Sequence, residues 1–198
     1  FILFTRLNSS IAYESNLCNA FIFVFGKDIG KNKMEILKNV GYLPSETTFY
    51  SGMKVKDIIA FSASLRGVDC AEEAKRLCER LELDTSRKID ELSLGNRKKV
   101  GIVCAMQHRP DLYILDEPTS GLDPLMQKEF YSLLEERNAE GATVFLSSHV
   151  LSEIGKYCKH AAVIREGRIL AADSVERLGH TGVKRVVLRG ADELPVGI

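Results

Sequence analysis

Two adjacent carboxylates, Asp116 and Glu117, follow an unbroken apolar run, Leu112-Tyr113-Ile114-Leu115. Such a run reads as a strand covered on both faces, and in open α/β sheets ligands sit at the C-terminal ends of such strands. One carboxylate there is suited to hold Mg²⁺, directly or through water. Its neighbour is then free to orient or deprotonate an attacking water. Read alone, Asp116-Glu117-Pro118 is equally a polar turn after a strand. A second segment, Leu92-Ser93-Leu94-Gly95-Asn96-Arg97-Lys98-Lys99, sets a hydroxyl and a glycine before a helix that reads through Val100, Val103, Cys104 and Met106 to Pro110. Free N–H groups at a helix start bind anions, and cations in the first turn oppose the helix dipole unless an anion lies near. The plain alternative is an N-cap followed by a solvated basic face. A third segment, Ser147-Ser148-His149, immediately follows the strand-like run Thr143-Val144-Phe145-Leu146. An imidazole there can meet a phosphate or a catalytic water; His108, His160 and His180 have no such setting.

These groups need a scaffold, and the sequence alternates strand-like and helix-like segments, which predicts an α/β fold with a mostly parallel sheet. Residues 20–25, 40–43, 112–115 and 143–146 read as strands. Val55, Ile58, Ile59, Ser62 and Leu65 follow helical spacing up to Gly67, and Ala74, Leu77, Cys78 and Leu81 repeat it. Helix follows helix here, so residues from about 47 to 108 read as a helical lobe within the fold. Asp123-Pro124 supplies an N-cap and a first-turn proline for a helix with Leu125, Phe130, Leu133 and Leu134 as its apolar stripe, ended by Gly141. Residues 161–165 and 168–171 flank Glu166-Gly167 as a hairpin, and 183–188 read as a further strand.

Composition sets outer limits. Lys plus Arg and Asp plus Glu both number 27 in 198 residues, for a formal net charge of +0. That balance argues against a dedicated nucleic-acid binder. With 45% hydrophobic and 27% charged residues, the chain is an ordinary globular one. No run reaches the roughly 18–20 apolar residues of a membrane-spanning helix. The five cysteines form no CxxC pair, which argues for reduced thiols over a disulfide framework or a zinc site.

Taken together and in order, the chemical segments resemble the nucleotide-binding domain of ABC transporters. Residues 112–117 match the Walker B strand with its catalytic glutamate, and Ser120-Gly121-Leu122-Asp123 matches the D-loop. Residues 92–99 look like the signature motif, and His149 stands where the switch histidine belongs. Gly41-Tyr42-Leu43-Pro44-Ser45-Glu46 is similar to the approach to the Q-loop, and the hairpin at Glu166-Gly167-Arg168 to the family's late hairpin. The resemblance runs from about residue 20 to residue 179, and looks most like the ATPase subunits that serve ABC-2 type exporters. It implies a P-loop NTPase-like (RecA-like) core with an inserted helical subdomain, a single domain incomplete at its start, and a C-terminal extension beginning near residue 180.

The resemblance further implies ATP and Mg²⁺ as cofactors, with Asp116 as metal ligand, Glu117 as general base and His149 as γ-phosphate sensor. Ser93, Gly95 and Asn96 would face ATP held by an opposite subunit, and Asp123 would lie at the dimer seam. Ser45 stands in place of the usual Q-loop Gln, with metal contact through water or through Glu46. The implied partners are a second nucleotide-binding domain, identical or different, and a separate membrane permease, with no nucleic acid. The implied location is cytoplasmic, on the inner face of the cell membrane through that permease.

The chief departure is the phosphate loop G-x-x-x-x-G-K-[ST], whose backbone N–H groups cradle phosphates. The nearest imitation, Gly26-Lys27-Asp28-Ile29-Gly30-Lys31-Asn32, spaces its glycines four apart instead of five and falls after the loop's place. By family spacing the loop should end near residues 1–5, with a helix following to about residue 20. The chain reads Phe1-Ile2-Leu3-Phe4-Thr5 there, and Asn8-Ser9-Ser10 and Asn16-Leu17-Cys18-Asn19 give no amphipathic stripe. The expectation is a truncated or frame-disrupted start and a weakened or absent ATPase of its own. Other classes share the head: a chromosome-maintenance or repair ATPase, which would carry a long coiled coil before the signature; a soluble ABC protein acting on ribosomes, which usually has two such domains; and a degenerate subunit that only completes a partner's site.

Overall fold

The described residues of the computed structural model are 2–5, 11–16, 19–166 and 168–179, with side chains from residue 23 onward. Three apolar runs pair in parallel as β5 (Val40–Leu43), β6 (Leu112–Asp116) and β7 (Thr143–Ser147). Their register aligns Leu43, Leu115 and Leu146, so the three strands end side by side. Leu112, Tyr113 and Leu115 are buried, as both faces of a central parallel strand require. Beyond β7 lie β1 (Ile2–Thr5), β8 (His160–Arg165) and β9 (Arg168–Ser174), completing the order β5-β6-β7-β1-β8-β9. The strands β8 and β9 form the hairpin expected from the sequence. Strand β1 runs antiparallel to β7, with Ile2 beside Ser147 and Thr5 beside Val144.

A second, antiparallel sheet holds β2 (Ile11–Asn16), β3 (Asn19–Val24) and β4 (Lys27–Asp28). Residues 11–16 therefore pair as a strand where family spacing asks for a helix. Phe25 and Gly26 both take positive φ, +53° and +71°, the mirror-image turn that suits the twist of a two-residue hairpin. Asp28 then caps α1 (Ile29–Lys38), its carboxylate accepting from the Gly30 amide at 2.8 Å. The glycines of the apparent loop 26–32 thus serve a turn and a capped helix start.

Between β5 and β6 the described elements are helical, apart from one isolated bridge of Lys54 to Lys88. They are α2 (Val55–Ser64), α3 (Ala71–Arg80) and α4 (Leu94–Met106). Val55, Ile58, Ile59, Ala74, Leu77, Cys78 and Leu81 are buried as their spacing predicts. Leu65 is not: α2 ends at Ser64 and the chain turns away, leaving Leu65 68% exposed. Helix α5 (Pro124–Ala139) starts on the Asp123 cap and buries Met126, Phe130, Leu133 and Leu134. Leu125, expected in that stripe, is exposed because the buried face begins one residue later. Helices α6 (Leu151–Tyr157) and α7 (Val175–Gly179) complete the described chain. Gly167, His180 and the strand expected at 183–188 lie outside the described residues.

Ion pairs strap the helical lobe to the sheet's helices. Arg76 of α3 meets Glu73 at 2.8 Å and Glu136 of α5 at 3.1 Å, and Arg80 bonds both Glu129 and Glu136. Arg109 reaches Glu140 at 2.8 Å. Among the described residues no helix is long and apolar enough to cross a membrane.

Helix α4 approaches the sheet over glycine. A Cβ at Gly41 would lie 2.3 Å from the Ala105 carbonyl oxygen and 2.8 Å from Pro110 Cγ. Gly41→Ala is therefore expected to destabilise by about 1–3 kcal/mol through overpacking, read as a lower urea midpoint. Gly155→Ala, inside α6 with nothing within 4 Å of the added methyl, is expected to stabilise by about 0.5–1 kcal/mol through helix propensity, read as a higher urea midpoint.

Candidate functional site

The register of β6 and β7 pairs Asp116 with Ser147 at the strand ends. Ser147 Oγ donates to Asp116 Oδ1 and accepts from the Glu117 amide at 3.1 Å. One hydroxyl thus fixes both the first carboxylate and the backbone of the second. Glu117 takes φ +45°, a left-handed conformation uncommon outside glycine and concentrated at functional sites. Its Oε2 lies 2.8 Å from His149 Nδ1. The imidazole is 73% exposed and the Glu117 carboxylate 27% exposed, so the pair sits in the rim of the sheet with the histidine outermost. The hydrogen bond to Glu117, and then that carboxylate's charge, raise the His149 pKa above the ordinary histidine value, and the charge of Glu153 adds to the rise.

Asp116 is exposed at its strand end. Among the described residues no group of three or more His, Cys, Asp or Glu side chains is placed to hold a metal ion. One exposed carboxylate beside a hydroxyl is nevertheless the donor set of an Mg²⁺ that takes its other ligands from phosphate oxygens and water. The residues present fit that ion and do not offer an all-protein cage.

Ser93, Gly95 and Asn96 form a second group at the start of α4. Ser93 is the N-cap, exposed, its Oγ accepting from the Asn96 amide at 3.3 Å. A Cβ at Gly95 would lie 2.4 Å from the Gly121 carbonyl oxygen, so the start of α4 rests directly on the 120–123 turn. Asp123 is occupied as a cap, with Oδ1 accepting from the Leu125 and Met126 amides at 3.0 Å each. The Met126 N–H, then that of Leu125, hold its carboxyl below the usual range against a smaller opposing cost of burial.

The alternative of a solvated basic face at the start of α4 does not hold for Lys98 and Lys99. Lys98 is 2% and Lys99 8% exposed, because α4 is covered on nearly every side from residue 98 onward. Lys98 Nζ donates to the carbonyls of Ser45 at 2.7 Å and Pro44 at 3.3 Å. Burial lowers the Lys98 pKa, and the charges of Asp116 and Glu117 partly oppose the fall. Ser45 itself is exposed, and its backbone oxygen is what α4 grips.

Sequence reasoning assigned no role to Ser147, Lys98 or Glu153. Ser147 was within reach: both strands have five residues, and the serine and the aspartate close them. Glu153 of α6 accepts, on one oxygen, the hydroxyls of Thr119, Tyr131 and Ser148. No periodicity announces that arrangement.

A family model described as "ABC transporter" matches residues 8–120. The bacitracin transport ATP-binding protein BcrA of Bacillus licheniformis is 36% identical over 155 residues, covering 75% of this chain and 50% of its own. The linearmycin resistance ATP-binding protein LnrL of Bacillus subtilis (strain 168) is 30% identical over 198 residues, covering 96% and 62%. The chain thus spans about half the length of the first of these relatives and less than two thirds of the second. A solved ATP binding subunit of an ABC transporter superposes with a TM-score of 0.75 at 27% identity, over 84% of this chain and 73% of that one. A dimeric ATP-binding cassette bound to ADP and Pi shares the fold, with a TM-score of 0.69 at 16% identity over 80% and 74%.

Because the folded state holds the His149 proton more tightly than an open chain does, the pair's stabilisation is present below the ordinary histidine value near pH 6.5. It is lost as pH rises through the raised one. An NMR titration of the imidazole is expected to show a midpoint above 6.5 that falls in Glu117→Gln. An unchanged midpoint in that variant contradicts the pairing.

Proposed function

The chain belongs to the ABC transporter family, and on that premise we propose that it is an ATP-binding subunit driving a separate membrane permease. The observation that carries the reading is the 2.8 Å pairing of Glu117 with His149 beside the Asp116–Ser147 bond at the ends of parallel strands. Asp116 holds Mg²⁺ through its exposed carboxylate, oriented by Ser147. Held there, the ion would neutralise charge on the phosphates. Glu117 orients and deprotonates the attacking water, its backbone fixed by the same serine. His149, whose raised pKa keeps it cationic over more of the neutral range, donates to the terminal phosphate and keeps Glu117 aimed.

The second group serves a neighbour. Ser93, Gly95 and Asn96, at an exposed helix start, face ATP carried by an opposing subunit, and Asp123 lies at the seam between the two. The Gly95–Gly121 approach makes these one surface. The turn of Pro44, Ser45 and Glu46, tethered through Lys98, carries motion between the site and the permease side of the helical lobe.

Residues 1–198 hold no G-x-x-x-x-G-K-[ST] run, and we infer that these residues by themselves bind ATP weakly and present the signature half of a shared site. Several charge-assisted hydrogen bonds, each worth about 1.5–3 kcal/mol, go with that loop. Titration with fluorescent ATP and Mg²⁺ is expected to show no saturation at micromolar concentrations; micromolar affinity overturns the inference. Mixed with a relative's subunit that keeps its loop but has its own signature serine changed to alanine, the chain should restore phosphate release. Ser93→Ala should abolish the rescue, and rescue undiminished by that change would remove Ser93 from its role.

A further inference from the structure

Glu153 lies on α6, outside the groups assigned to ATP, Mg²⁺ or the dimer. Its Oε2 accepts hydrogen bonds from Tyr131 Oη at 2.8 Å, Thr119 Oγ1 at 3.1 Å and Ser148 Oγ at 3.4 Å. The three donors come from three segments: the turn after β6, helix α5 and the turn after β7. All three donor residues are buried, between 2% and 4% exposed. Ser148 Oγ also accepts from the Val150 amide at 3.1 Å, so the backbone beyond His149 is tied to the same oxygen. Burial, and then the bond to Glu153, push the Tyr131 phenol upward, which keeps it a donor.

Thr119 is two residues beyond Glu117, and Ser148 immediately precedes His149. One carboxylate oxygen therefore spans the two turns that carry the acid and the imidazole. Charge-assisted hydrogen bonds are the short, strong ones, and a buried hydroxyl left without an acceptor is costly. The Ser147 link joins the strand ends; nothing in it sets how far the following turns diverge.

We propose that Glu153 is a positioning residue for the Glu117–His149 pair, drawing the turns after β6 and β7 together through the hydroxyls of Thr119 and Ser148. This rests on the assignment of Glu117 and His149 to the reaction, but its test reads their geometry without nucleotide, so the two fail separately. The charged groups facing His149 are Glu117 and Glu153, and removing hydroxyls alters neither charge. In the Thr119→Val, Ser148→Ala double variant, the NMR midpoint of His149 is expected to fall part of the way from that of the unaltered chain toward that of Glu117→Gln, the hydrogen bond being lost while both carboxylate charges remain. A midpoint equal to that of the unaltered chain overturns the proposal. Should the double variant fail to fold, Glu153→Gln keeps an oxygen acceptor without charge, and Glu153→Ala keeps neither. Gln is expected to preserve most of the raised midpoint and Ala to lose it. Equal losses in both mean that Glu153 acts on His149 by charge alone, which also overturns the proposal.

Discussion

The parallel register between β6 and β7 is the constraint on which the site depends. Because Asp116 pairs with Ser147, both strands finish at one level, and a single hydroxyl serves the aspartate and the amide of the next residue. A slip of one residue would send every side chain to the opposite face. It would part the Asp116 carboxylate from the Ser147 hydroxyl. The same alternation that builds the core therefore meters out the distance between an acid and an imidazole 32 residues apart in sequence.

Helix α4 meets the turns around it through close approaches at glycine and one lysine side chain. Gly95 rests on Gly121, Gly41 lies under Ala105, and Gly101 lies against Leu43 and Thr47. Lys98 adds a charge gripped by two carbonyls. Contacts this close leave little slack, so the helix start, the 120–123 turn and the 44–47 turn move as a connected set. Glycine at position 95 is thus required within the chain as well as by any phosphate brought to it.

Much of this was legible in the residues. An uninterrupted apolar run located β6, because a strand buried on both faces leaves no room for polar alternation, and short β-rich runs located β5 and β7. Asp123-Pro124 marked the start of α5 by capping chemistry. Asp116 and Glu117 stood out because they follow such a run directly, and His149 because it stands just beyond the end of another strand-like run. What escaped has physical causes. Lys98 and Lys99 look like surface residues by type, and only a helix enclosed by lobe and sheet buries them. Leu65 and Leu125 fit the periodicity but fall where a helix turns or begins. Glu153 gathers three hydroxyls from segments far apart in sequence, and no local pattern encodes such convergence. Residues 11–16 lie where family spacing asks for a helix, and they pair instead as a strand with residues 19–24.

The strap between α3 and α5 has a mechanical consequence. Interlocked methyl groups resist shear until they release together, whereas long charged arms in partial contact with water can trade partners singly. Arg80 divides itself between Glu129 and Glu136, and Arg76 between Glu73 and Glu136. An outward swing of the lobe can thus proceed as successive exchanges on shared carboxylates. The joint behaves as a ratchet with small teeth, and dissolved ions loosen each tooth.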